Sequence, residues 1–60
     1  MFIGNGAKII GDVKVGDDVF IAPGSIVIRD IPTGSVVAGN PAKVINQRGA
    51  EYVRKYLHWN

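Results

Sequence analysis

IGNGAK-IIGDVK-VGDDVF-IAPGSI-VIRDIP, residues 3–32, is the stretch whose reading decides the fold. Broken into sixes from Ile3, its first positions are Ile3, Ile9, Val15, Ile21 and Val27, all β-branched. Its fourth positions are Gly6, Asp12, Asp18, Gly24 and Asp30, all turn formers. Its fifth positions, Ala7, Val13, Val19, Ser25 and Ile31, are small or β-branched. β-branched side chains suit a pleated, half-buried surface. Gly and Asp tolerate the positive φ that a tight corner demands. A single amphipathic strand repeats every two residues and a helix near 3.6, so neither gives a six-residue column of both kinds. A β-sandwich needs longer strands and hairpin loops. The pattern predicts very short strands separated by corners and wound into stacked coils, which is a parallel β-helix. One unit cannot bury its apolar face alone, and stacking closes a continuous inner column.

Outward from this stretch the six-residue frame ends after Pro32. Thr33-Gly34-Ser35 reads as a loop, Val36-Val37 as a last short strand, Gly39-Asn40-Pro41 as a turn, and Ala42–Ile45 as another extended piece. Asn46 is placed to cap a helix from about Gly49 or Ala50 to Leu57. Glu51 and Lys55 are spaced as a favourable i,i+4 pair. Tyr52, Val53, Tyr56 and Leu57 form an apolar stripe. So short a helix must dock on something to persist. Trp59 and the two tyrosines are the candidates for packing it onto the coil or a neighbour. Residues 1–45 therefore read as coils with a closing strand, and residues 46–60 as a helical tail.

The chain has 60 residues, a net charge of +2, no cysteine and a single histidine, His58. A domain this small buries little of its unfolded surface, and such chains add disulfides, a metal or a partner. Without cysteine, disulfides and thiolate metal sites are excluded. One histidine makes no metal site, so none is expected. That leaves oligomerisation. The basic residues are spread thinly, unlike the clustered face that nucleic acid needs. No apolar run is long enough to span a membrane. The opening Met1-Phe2-Ile3-Gly4 lacks the layout of a signal peptide. The expected location is the cytoplasm.

The run IGDVKVGDDVFIAPGSIVIRDIPTGSVVAGNPAKVI resembles the C-terminal end of the hexapeptide-repeat acyltransferases, and the likeness extends from Ile3 to Ile45. IAPGSIVIRDIP followed by SVVAGNPAKVI is its most specific part. It is similar to the closing coil of serine O-acetyltransferases, and equally to that of sugar and capsular-polysaccharide O-acetyltransferases. The resemblance implies an all-β, left-handed parallel β-helix of about two coils with a short C-terminal helix. It implies three hexads per coil, so that residues eighteen apart stack, Ile3 under Ile21 and Ile9 under Val27. It implies a homotrimer with acetyl-CoA in the groove between subunits, and no metal. Carried over by position, Ala22, Gly24, Ser25, Ala38 and Gly39 would line the pantetheine arm, since small residues admit close approach to the backbone. Lys43, the basic residue after Pro-Ala in GNPAK, would lie near the nucleotide end and meet a phosphate. Arg29, Arg48 and Lys8 are lesser candidates.

One departure matters. The family's catalytic base is a histidine in an earlier coil, and no histidine precedes His58. His58 matches no family motif and lacks an evident orienting carboxylate. No catalytic residue is therefore assigned. The chain reads as the end of an acetyl-CoA-dependent O-acyltransferase, inactive alone and supplying part of a CoA groove wall. The alternative is a non-catalytic trimerisation and capping module. A third class, other chemistry on the same fold, is represented by γ-type carbonic anhydrases and sugar nucleotidyltransferases. The first needs three metal histidines and the second a nucleotide-binding domain, both absent from this sequence.

Overall fold

The computed structural model describes residues 1–57. The strands among them are β1 (Phe2–Ile3), β2 (Lys8–Ile9), β3 (Phe20–Ile21), β4 (Ile26–Val27), β5 (Val36–Gly39) and β6 (Ala42–Asn46), followed by the helix α1 (Gly49–Leu57). β1, β3 and β5 are parallel neighbours in one sheet, and β6 joins β5 antiparallel at its edge. β2 and β4 pair in parallel as a second sheet. A parallel bridge between Val15 and Ile31 marks a third line of contact. Parallel pairing along three lines, with corners between, is a chain winding about an axis. Two-residue strands suffice because each is bonded to the coil above or below. Phe2 N–H donates to Val19 O at 2.9 Å and Lys8 N–H to Ser25 O at 2.8 Å.

The pairing places Ile3 against Ile21 and Ile9 against Val27, the eighteen-residue spacing expected of them. Beyond Val27 the spacing shortens to sixteen: Val15 meets Ile31, Phe20 meets Val36 and Ile21 meets Val37. The frame therefore does not lapse at Pro32. It restarts two residues early, so that Ile31-Pro32-Thr33-Gly34-Ser35-Val36 parallels Ile21-Ala22-Pro23-Gly24-Ser25-Ile26. The shortened corner, Ile28-Arg29-Asp30, has a local substitute for the missing backbone. The Asp30 carboxylate accepts the Lys14 N–H at 2.8 Å. Ser35 repeats the role of Ser25: each hydroxyl donates to the carbonyl three residues back, Pro32 O at 2.8 Å and Ala22 O at 2.7 Å. Both side chains are buried, and the bond satisfies them there. The corner column is also adjusted. Positive φ occurs at Gly6, Asp18, Gly24 and Gly34, but at the second corner it falls on Gly11 rather than Asp12.

The core is one inner column of Val19, Ile21, Val27, Ile31 and Val37, with Ala7, Val13, Val15 and Ala42 packed against it. Burial rises along the chain: Ile3 is 50% exposed where Ile21 is fully buried, and Ile9 is 40% exposed where Val27 is at 1%.

Outside the first sheet lies α1. Phe2 and Phe20 stack with ring centroids 4.7 Å apart, and Tyr52 and Tyr56 close on Phe20 at 5.3 and 5.1 Å. Tyr56 also reaches Phe2 at 5.9 Å, so the helix spans two coils. Its start is set by close approach. A Cβ on Gly49 would run into the Asp18 carbonyl oxygen and lie 2.9 Å from Gly34 C, and Gly49 N–H donates to Gly34 O at 2.9 Å. Asn46 ends β6 rather than capping α1: its Oδ1 accepts the Arg48 N–H at 2.9 Å, which turns the chain towards the helix. Lys55 Nζ sits over the Tyr56 ring, 5.7 Å from its centroid. Among the described residues no helix is long and apolar enough to cross a membrane.

Candidate functional site

The β5–β6 hairpin builds the candidate site. Its antiparallel register pairs Ala38 with Lys43 and Gly39 with Ala42. The turn between them holds Asn40 and a cis Pro41, and Gly39 carries a φ of 108°. A Cβ on Gly39 would stand 3.3 Å from Pro41 O, so the reversal is tight. Pro41, Ala42 and Lys43 lie opposite the shortened corner. With Ile28 and Arg29 they line a cleft of about 220 Å³. Its walls thus present three apolar side chains and two cations from segments fourteen residues apart in sequence, Arg29 and Lys43.

The remaining sequence-derived candidates stand elsewhere. Ala22 leaves β3 and its N–H donates to Val37 O at 3.0 Å, which sets Ala38 beside it in the next coil. Gly24 is exposed with φ of 76° and donates its N–H to Asn5 O at 3.0 Å. Ser25 is buried, with its hydroxyl engaged by Ala22 O. These three, with Ala38 and Gly39, do not line the cleft. Lys8 lies in β2 on the first coil, and the Arg48 guanidinium sits 5.9 Å from the Tyr52 ring centroid. Neither lines the cleft. Ile28, Pro41 and Ala42 do, though sequence reading assigned them no ligand role. The signal for Pro41 and Ala42 was the GNPAK turn itself, and Ile28 had none. His58 and Trp59 fall outside the described residues.

The cleft can bind, and its lining holds no His, Cys, Asp or Glu. Its two cations suit a phosphorylated ligand and its apolar walls suit the carbon skeleton of such a ligand. Among the described residues no group of three or more His, Cys, Asp or Glu could hold a metal ion.

With this geometry in hand, comparison with known proteins is specific. Residues 2–29 match the family described as bacterial transferase hexapeptide (six repeats). A serine acetyltransferase of Synechococcus elongatus is 43% identical over 47 residues, covering 78% of this chain and 19% of the relative. A 2,3,4,5-tetrahydropyridine-2,6-dicarboxylate N-acetyltransferase of Staphylococcus aureus is 51% identical over 47 residues, covering 78% of this chain and 20% of the relative. The crystal structure of a serine acetyltransferase from Brucella abortus superposes with a TM-score of 0.73 at 47% identity, over 75% of this chain and 19% of that one. A maltose O-acetyltransferase from Clostridium difficile superposes equally well, at 0.73 and 44% identity, over 75% of this chain and 24% of that one. The chain thus spans about a fifth of the length of the curated relatives it matches.

Proposed function

Since residues 2–29 belong to the bacterial transferase hexapeptide family, we propose that this chain forms the acyl-donor side of an acetyl-CoA-dependent O-acetyltransferase. In this reading it is the C-terminal portion of the enzyme, a left-handed β-helix of about two coils over residues 1–45 with a helical tail over 46–60. The observation that carries it is the pairing of Arg29 and Lys43 across a cleft otherwise lined by Ile28, Pro41 and Ala42. Coenzyme A combines phosphates at one end with a largely uncharged arm, and that donor set suits it. Lys43 and Arg29 would hold phosphate. The small residues Ala22, Gly24, Ser25, Ala38 and Gly39 would let the pantetheine arm lie close to the backbone, Ser25 acting through the turn that its hydroxyl fixes. When bound, acetyl-CoA supplies an activated thioester for attack by an acceptor hydroxyl of serine or a sugar. The residues of this chain bind and orient, and deprotonation of the acceptor falls to a histidine elsewhere in the enzyme. The groove would be completed by a neighbouring subunit of a homotrimer.

A second reading, a trimerisation and capping module without ligand, is favoured by one observation: β6 returns antiparallel and α1 wraps two coils, as the end of a solenoid requires. Calorimetric titration of CoA, with mass measured by light scattering in the same buffer, separates the two. Saturable heat with an affinity that falls severalfold in the K43A variant supports the groove. A trimer that gives no heat at millimolar CoA overturns it and leaves the module.

A further inference from the structure

The first corner, Gly4-Asn5-Gly6-Ala7, carries chemistry that the acyl-donor reading does not use. Ala7 N–H donates to Gly4 O at 3.1 Å, closing a four-residue turn. Gly6 has φ of 77°, while Asn5 is not among the residues of positive φ, which makes this a type II turn with Asn5 first and Gly6 second of the central pair. Both are exposed. Among the described residues the Gly6 N–H has no acceptor, and the Asn5 carboxamide makes no hydrogen bond. A Cβ at Gly6 would meet nothing nearer than 4.0 Å, so its flank is open.

We propose that Asn5–Gly6 is a self-modification site, a deamidation point that the turn holds shut and that opens when the first coil loosens. In the reaction the Gly6 backbone nitrogen attacks Asn5 Cγ. The N–Cγ bond forms, the Cγ–Nδ2 bond breaks, and ammonia leaves with the proton taken from the Gly6 amide. Water then opens the five-membered imide, giving isoaspartate or aspartate. Ring closure needs Gly6 N on the same side of the Asn5 Cα–C bond as the side chain. In a type II turn, ψ of the first central residue puts it on the other side. Rotation into the reactive arrangement breaks two bonds at once, Ala7 N–H to Gly4 O and Gly24 N–H to Asn5 O. The second is a coil-to-coil bond, so the rate reports separation of coil one from coil two. Isoaspartate would lengthen the corner by one backbone carbon and leave a carboxylate beneath Gly24.

The fold contains its own control. Ser25 and Ser35 brace their turns through hydroxyls that donate to Ala22 O and Pro32 O, whereas the first corner has Ala7 in that place. The test incubates the full chain at pH 8 and 37 °C, folded and in concentrated urea, and reads isoaspartate at Asn5 by peptide mapping. Asn40 is the internal reference, because Pro41 has no N–H to attack with. The expected result is modification at Asn5 at least severalfold faster in the unfolded chain, and slower in the folded A7S variant than in the folded parent. Equal rates folded and unfolded, or no slowing by A7S with its fold intact, would overturn the gate. Absence of product at Asn5 in urea would overturn the site.

Discussion

Replacing Ile21 by Val removes one methylene from the centre of the inner column, and replacing Ile3 by Val removes the same group from the same column one coil earlier. Ile21 is fully buried and Ile3 is 50% exposed. Transfer of a buried methylene contributes about 0.8 kcal/mol. At Ile21, fixed between Ile3 and Val37, the gap left behind adds a cavity cost, so the total is about 1 kcal/mol. At Ile3 only about half of the transfer contribution applies, roughly 0.4 kcal/mol, and no closed cavity forms. Urea unfolding followed by circular dichroism, at one fixed chain concentration because assembly adds to apparent stability, measures both. With a slope of about 1 kcal/mol per molar for a chain this small, the midpoints fall by about 1 M and about 0.4 M. Equal losses, or a larger loss for I3V, would refute the burial gradient and show the first layer to be as enclosed as the second.

The cleft yields a second prediction: K43A and R29A each weaken CoA binding about 2- to 5-fold, as exposed ion pairs do, and the difference from the parent shrinks at high salt in a parallel titration. G49A forces a methyl into the Asp18 carbonyl oxygen and against Gly34 and should cost about 1–3 kcal/mol. Near-ultraviolet dichroism of Tyr52 and Tyr56 should fall with it, and an unchanged tyrosine signal would show that α1 docks without this close approach. D30A leaves the Lys14 N–H to water at a cost of about 0.5–1.5 kcal/mol, while D30N keeps an acceptor oxygen and loses less. Amide exchange at Lys14, faster in D30A than in D30N, is the readout.

Much of the coil was legible because one physical requirement recurs at a fixed interval. An inward β-branched residue every sixth position can be read without any tertiary information, and it located the pairing of Ile3 with Ile21 and of Ile9 with Val27. The restart at Ile31 escaped because a rigid six-residue ruler cannot register a shortened corner. A signal was present nonetheless. Gly-Ser occurs at 24–25 and again at 34–35, ten residues apart where two full hexads would give twelve. The cleft was half legible. Lys43 was singled out by its place in GNPAK, but its companions come from a corner whose position depends on that shortened step. The Asn46 role was misplaced by two residues because a side chain that accepts from the residue two ahead serves a turn as readily as a helix cap.

The sixteen-residue step has a consequence for how such a chain can change length. Side chains alternate between inside and outside, so the loss of two residues at the 28–30 corner leaves Ile31, Ser35 and Val37 on the inner side. The loss of one would have turned Ile31 and Val37 outward and drawn their neighbours Pro32 and Ala38 inward. Length variation in this wall is therefore subject to a parity rule. Corners can be trimmed or extended in even steps at the cost of a local hydrogen bond, as Asp30 repairs here, whereas an odd step inverts the faces of the coil that follows it.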